Sequence, residues 1–275
     1  MSVTVDLDRY RIRPGVAVDL ATRASNDTQG MTRSDETDDQ FDAHLDALDE
    51  LQERLYAEGT RSLLFVFQAM DAGGKDSSIR KVFGPLNPQG VRVWSFKVPS
   101  KEEAGHDYLW RIHKRTPRAG YISVFNRSHY ESVLVEKVLH LAPADRIAKR
   151  YAQINDFERL LTDEGTTVVK VMLHISKAYQ LERFKRRLRK PDKHWKFNPS
   201  DLDTRAQWDD YMAAFSTALS RCSTADAPWY VIPAEERWFR NLALAQLARE
   251  TLERMDPQYP PPDFDPAAYP PDSLV

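Results

Sequence analysis

Cysteine is nearly absent: Cys222 is the single one in 275 residues. That excludes an intramolecular disulfide and a multi-cysteine zinc site, fits a reducing compartment, and leaves Cys222 as a small half-buried packing residue. Long hydrophobic runs are missing too. Stretches such as Leu63 to Phe67 fall far short of the roughly 20 residues of a membrane span. MSVTVDLDRYRIRP lacks the apolar core of a signal peptide, so a soluble, cytoplasmic protein with no membrane partner is expected. There is no excess of charge of either sign, since 39 Lys plus Arg against 41 Asp plus Glu leave a net of -2. No global basic field therefore argues for nucleic acid, and any anion site must be local. The seven histidines show no H-E-x-x-H or other metal spacing, and no G-x-S-x-G nucleophile elbow occurs.

What is present is ordinary globular composition, 41% apolar and 29% charged, which excludes a disordered chain. The length predicts one large domain, or one plus a subdomain. Residues 1–35 show no sustained period and read as an arm that packs on the body or on a neighbouring subunit. Thr37 with Gln40 forms a capping-box pattern, and Phe41, Leu45, Leu48, Leu51 and Leu55 share one helical face, ending near Gly59. Leu63 to Phe67 reads as a buried strand running through a glycine turn into a helix. Further strands are predicted at 91–95, 121–125, 168–173 and 229–232. Helical stretches are predicted at 101–115, 129–162 with a break at Pro143, 176–190, 203–221 and 235–255. Short apolar strands alternating with helices predict an α/β fold, a parallel sheet flanked by helices on both faces. The single domain spans 36–255. The tail, 256–275, holds seven of the 17 prolines and is expected to be extended and draped over the body.

The strongest chemical signal follows the first strand. Residues 68–78, QAMDAGGKDSS, compare with the phosphate-loop pattern G-x-x-x-x-G-K-[ST], with Ala69 in place of the first glycine and Asp76 in place of the hydroxyl. The mechanism survives: Gly73 and Gly74 let backbone amides turn inward, the next helix presents its positive end with Ser77 in its first turn, and Lys75 adds a full charge. Asp71 and Asp76 offer hard carboxylate oxygens for Mg2+, with Mn2+ as a substitute. A glycine turn with a surface lysine is the bland alternative.

The second signal, Asn126-Arg127 at the carboxyl end of the 121–125 strand, sits where open parallel sheets bind ligands. Asn126 stands where a phosphate-loop enzyme commonly has a metal-holding aspartate, and Arg127 is a fork for phosphate. The third is the charge run 181–193. Arg183 and Arg187 lie one turn apart with Arg186 beside them and Lys193 beyond, as expected of a mobile lid over about 181–200 that closes on phosphates; a solvated basic helix is the alternative. A fourth basic group, Lys97, Arg111, His113, Lys114, Arg115 and Arg118, surrounds the second and third strands. Together with the lid it exceeds what one mononucleotide needs.

FVFQAMDAGGKDSSIRKVF, VFNRSHYESVLV, ERFKRRLRKPDKHWKFNPSDL and APWYVIPAEERWFRN resemble the polyphosphate kinase 2 family over about residues 30–255. The FNRSHYE form, with asparagine for aspartate, is similar to class III of that family. The resemblance implies a P-loop kinase fold with a helical lid, Mg2+ dependence, and a homo-oligomer, dimer or tetramer. It implies transfer of the terminal phosphoryl of inorganic polyphosphate to AMP or ADP, with guanine nucleotides left open. By position, Asp71, Lys75 and Asp76 match the family's phosphate-loop residues, Asn126 and Arg127 its second motif, and Arg183 and Arg187 its lid arginines; Lys193 and Lys196 match basic positions beyond the lid. Gly73, where many members have alanine, is expected to loosen the loop. The runner-up is an ATP-dependent nucleoside monophosphate kinase; a non-catalytic polyphosphate-binding protein is the third reading.

Overall fold

The computed structural model describes residues 3–271. The first two residues of the arm and the last four of the proline-rich tail lie outside the described residues. Along the chain, α1 (Asp35–Glu58) precedes β1 (Ser62–Ala69), α2 (Lys75–Val82) leads to β2 (Val91–Ser95), and α3 (Lys101–Ala104) and α4 (Trp110–His113) lead to β3 (Ile122–Asn126). Then come α5 (Val135–Val138), α6 (Ala144–Asp163), β4 (Thr166–His174), α7 (Lys177–Arg189), α8 (Ser200–Ala206), α9 (Trp208–Cys222), β5 (Trp229–Pro233) and α10 (Arg237–Met255).

The five strands form one parallel sheet in the order β2-β3-β1-β4-β5. β1 lies in the middle and every one of its residues is buried, which is why its sequence is a continuous apolar run rather than an alternating one. Burying each such Leu, Val or Phe contributes about 1.5–3 kcal/mol. The chain leaves β1 in one direction along the sheet, towards β2, and returns over it from β3 to β4. Right-handed crossovers in opposite directions put their helices on opposite faces. Accordingly α1, α2 and α10 pack together, and α6 packs on β4 and α9. That reversal leaves a crevice at the carboxyl ends of β1, β3 and β4.

The arm packs on its own body. Tyr10 and Ile12 are buried, Ile12 N donates to Trp229 O (2.8 Å) and Val231 N donates to Tyr10 O (2.9 Å), an antiparallel bridge on the free edge of β5.

Five expectations need correction. α1 begins three residues early: Ser34 is the N-cap and Thr37 the reciprocating residue, because Thr37 is buried and unavailable as an exposed cap. The 101–115 helix is two separate turns, interrupted after Gly105 where the Asp107 carboxylate accepts from the Leu109 and Trp110 amides. Between 129 and 142 there is a 3-10 turn, His129–Ser132, and the four-residue α5 rather than a helix; the break at Pro143 holds, with Pro143 capping α6. The tail touches the body at its start, where Pro257 is buried and Gln258 N donates to Glu58 Oε2 (3.2 Å), but residues 258–271 are exposed. Cys222 is fully rather than half buried, and burial pushes its thiol up to about 12.

Candidate active site

The loop between β1 and α2 turns on two left-handed residues, Ala72 (φ 63°) and Gly74 (φ 97°). Glycine adopts such a φ freely, and alanine only at a cost of about 1 kcal/mol. Gly73 has an ordinary φ, but a Cβ there would lie 2.7 Å from Ala69 Cβ and 2.9 Å from Met70 O. The glycine at 73 is thus a tight fit, not the loosening expected from the sequence. Gly74 is the N-cap of α2 and offers no side chain to its free amides, so the positive end of the helix is left for an external anion.

Lys75, the first residue of α2, is 9% exposed. Its ammonium donates to Ala69 O (2.9 Å) and is held below the usual lysine range by burial and by Arg127, against the pull of Asp71, Glu131 and Asp76. Arg127 follows β3 with φ 63°, an outlier of the kind concentrated at functional sites. Its amide donates to Phe67 O (3.0 Å), which locks it beside β1. Its guanidinium donates to Asp71 Oδ1 (3.0 Å) and Glu131 Oε2 (3.3 Å). Burial opposes the charge on Arg127, and Glu131 and Asp71 outweigh it. Asn126, opposite Phe67 in the sheet register, donates its amide to Asp76 Oδ1 (2.6 Å).

Helix α7, over which the lid is expected, follows the end of β4, and Gln180 in its first turn donates to Asp71 O (3.0 Å). Arg187 donates to Asp201 Oδ2 (3.1 Å) and to Lys196 O (3.0 Å), which ties α7 to the segment after it. Asp201 is held above the usual carboxylate range by burial and by Asp71, with Arg187 opposing. Burial lowers the pKa of Arg183, and Arg186, Arg237 and Arg187 push the same way.

These groups line one cleft of about 620 Å³. Of the predicted residues it brings together Asp71, Gly73, Gly74, Lys75, Asp76, Ser77, Lys97, Asn126, Arg127, Arg183, Arg186, Arg187 and Lys193. Arg111 is not among them: it pairs with Glu103 (3.1 Å), lies over the Phe96 ring and donates to Lys97 O (2.7 Å), so it props the Lys97 turn. His113, Lys114, Arg115 and Arg118 do not line this cleft either. Lys114, Arg115 and Arg118 lie over the rings of Trp110, Trp94 and Tyr121.

Sequence reasoning missed Arg80, Arg237 and Asp201, all of which line the cleft. The signal for Arg237 was available, because it comes after the carboxyl end of β5 as Arg127 comes after that of β3. Ten cationic residues (Lys75, Arg80, Lys97, Arg127, Arg183, Arg186, Arg187, Lys193, Lys196, Arg237) face three carboxylates (Asp71, Asp76, Asp201), a surplus of seven.

Among the described residues no cluster of three or more His, Cys, Asp or Glu side chains could enclose a metal alone. Asp71 and Asp76 each commit Oδ1 to a neighbour, and among the described residues neither Oδ2 accepts a hydrogen bond. One or two carboxylates completed by phosphate oxygens is the usual Mg2+ arrangement, so the donor set fits that ion.

Fold and site together define a P-loop-kinase-like α/β protein with a cation-rich cleft at the carboxyl ends of its strands. The polyphosphate kinase 2 (PPK2) family model matches residues 31–260, and the chain belongs to that family. It is 47% identical over 258 residues to the AMP/ADP-polyphosphate phosphotransferase of Meiothermus ruber, covering 94% of this chain and 97% of the relative. It is 38% identical to the ADP-polyphosphate phosphotransferase of Rhodopseudomonas palustris, covering 92% and 91%. Among solved structures, polyphosphate kinase 2 from Arthrobacter aurescens TC1 superimposes with a TM-score of 0.90 at 45% identity, covering 94% and 93%.

Proposed function

We propose that the protein transfers the terminal phosphoryl group of inorganic polyphosphate to AMP and to ADP, in the manner of class III of its family. The observation that carries this reading is the surplus of seven cationic side chains around the phosphate loop. A nucleoside monophosphate brings about two negative charges near neutral pH, which leaves most of that surplus unmatched. A polyphosphate chain laid along the cleft supplies the matching charge.

Phosphoryl transfer needs positioning and charge stabilisation rather than a covalent protein nucleophile. A phosphate oxygen of the nucleotide attacks the terminal phosphorus of the chain. The bond from that phosphorus to the bridging oxygen breaks, and the shortened polyphosphate leaves with the electron pair. Lys75, Arg127, Arg183 and Arg187 stabilise the negative charge of the transferring group. Gly73, Gly74 and Ser77 cradle phosphate at the start of α2, while Lys97, Arg186 and Lys193 hold the chain. Asp71 and Asp76, steadied by Arg127 and Asn126, would hold Mg2+, or Mn2+ in its place, which supplies Lewis-acid neutralisation of phosphate oxygens when bound. Adenine nucleotides are the acceptors, a homo-oligomer the working form, and the cytoplasm its place.

The deciding experiment incubates pure protein with polyphosphate, Mg2+ and AMP in the absence of ATP and follows ADP and ATP separately. Appearance of ADP followed by ATP is expected. Turnover of AMP only when ATP is the donor would make the protein a conventional nucleoside monophosphate kinase.

A further inference from the structure

Arg240, on the first turn of α10, is only 2% exposed yet does not line the cleft. Among the described residues no carboxylate pairs with it; its side-chain partners are neutral. Nη2 donates to Ser77 Oγ (3.2 Å) and to Asn241 Oδ1 (3.1 Å), and Nε donates to Asn241 Oδ1 (3.3 Å). Ser77 Oγ in turn donates to Gly74 O (2.9 Å). A Cβ on Gly74 would come within 2.2 Å of Arg240 Nη1, so the guanidinium fills the space where an N-cap side chain of α2 would stand.

This placement is unfavourable on every count in the absence of an anion. A buried guanidinium loses its hydration and needs a counter-charge, and a cation beside a helix N-terminus opposes the helix dipole. Burial together with Arg237 and Arg183 pushes its pKa down to about 10. An arginine stays charged near neutral pH all the same, so the counter-charge must come from outside the protein.

We propose that Arg240 is a positioning residue that charges and shapes the phosphate loop from behind, acting through Gly74 and Ser77 on the polyphosphate group seated there. This rests on the polyphosphate reading of the cleft. It predicts a trade: removing the guanidinium relieves the protein without phosphate and weakens the protein with it. A merely structural arginine would do the reverse.

The test compares wild type, Arg240→Gln and Arg240→Lys by thermal unfolding with and without tripolyphosphate, and by calorimetric titration of tripolyphosphate. For Arg240→Gln we expect a phosphate-free unfolding temperature equal to or above that of wild type. We expect a dissociation constant raised about 10-fold or more, the size of a lost charge-assisted contact, and partial recovery of affinity in Arg240→Lys. A Gln variant that binds tripolyphosphate as wild type does would overturn the role, and so would one whose affinity the Lys variant fails to restore. If Arg240→Gln does not fold, Asn241→Ala, which removes the amide oxygen that holds the guanidinium in place and does not line the cleft, decides: weaker tripolyphosphate binding supports the role and unchanged binding overturns it. A wild-type protein that tripolyphosphate does not stabilise would instead sink the polyphosphate reading itself, and the ligand assigned to Arg240 with it.

Discussion

Two groups of buried charge sit on the same sheet and are built in opposite ways. In the middle of β4, Lys170 is fully buried, and its ammonium donates to Tyr130 Oη (3.0 Å), to Cys222 O (2.6 Å) and to Glu158. Glu158 also accepts from Tyr130 Oη (2.9 Å) and His129 Nε2 (3.1 Å). Burial alone would raise the pKa of the Glu158 carboxyl; Lys170 and His129 outweigh it and hold it below the usual value. Every charge in this cluster meets its opposite within the fold. At the carboxyl end of the sheet, a few residues away, the cations that line the cleft outnumber its lining carboxylates by seven, Glu131 and Asp192 behind them offset only two, and Arg240 is buried with neutral partners only. Matched charge fastens β4 to α6 and to the turn after β3; unmatched charge marks where a polyanion belongs.

The matched cluster should break hardest. Glu158→Gln leaves Lys170 buried without a counter-ion, and loss of about 3–5 kcal/mol of stability is expected in urea unfolding. A cost below about 1 kcal/mol would mean that the pair does not hold the fold together. His44 is a third kind of case, between α1 and α10: buried, with Nε2 unpartnered, but able to discharge. Burial and the nearby Arg249 push its pKa down to about 4, whereas in the unfolded chain it titrates near 6.5. Between those values the unfolded state binds more protons, so stability falls as pH drops through the window. His44→Leu should flatten that pH dependence by about 3 kcal/mol over the full window; an unchanged slope in acid unfolding would assign it to other groups.

Much of this architecture is legible in the sequence because strands buried on both faces are written as apolar runs, and β1, β3 and β5 fall where such runs lie. The phosphate loop is equally plain, since Gly73, Gly74 and Lys75 are adjacent in the chain. Pairing is not legible. Nothing local distinguishes Arg111, which finds Glu103, from Lys97, which faces the cleft, because the difference lies in how the 101–115 segment breaks at Gly105. Lys170 reads as one polar residue in a strand, and its partners come from positions 130, 158 and 222. Arg237 and Arg240 reach the loop only through the β5-to-α10 connection. A signal for them existed in their position just beyond a strand, but not in their spacing.

The central claim is that the cleft's unmatched cations serve a phosphate chain rather than the fold, and Lys75→Ala measured twice tests it most directly. Turnover with polyphosphate and AMP should fall by at least about 100-fold, while the phosphate-free protein unfolds at the same urea concentration as wild type or at a higher one. Retained turnover, or a loss of stability comparable to that of Glu158→Gln, would contradict the account.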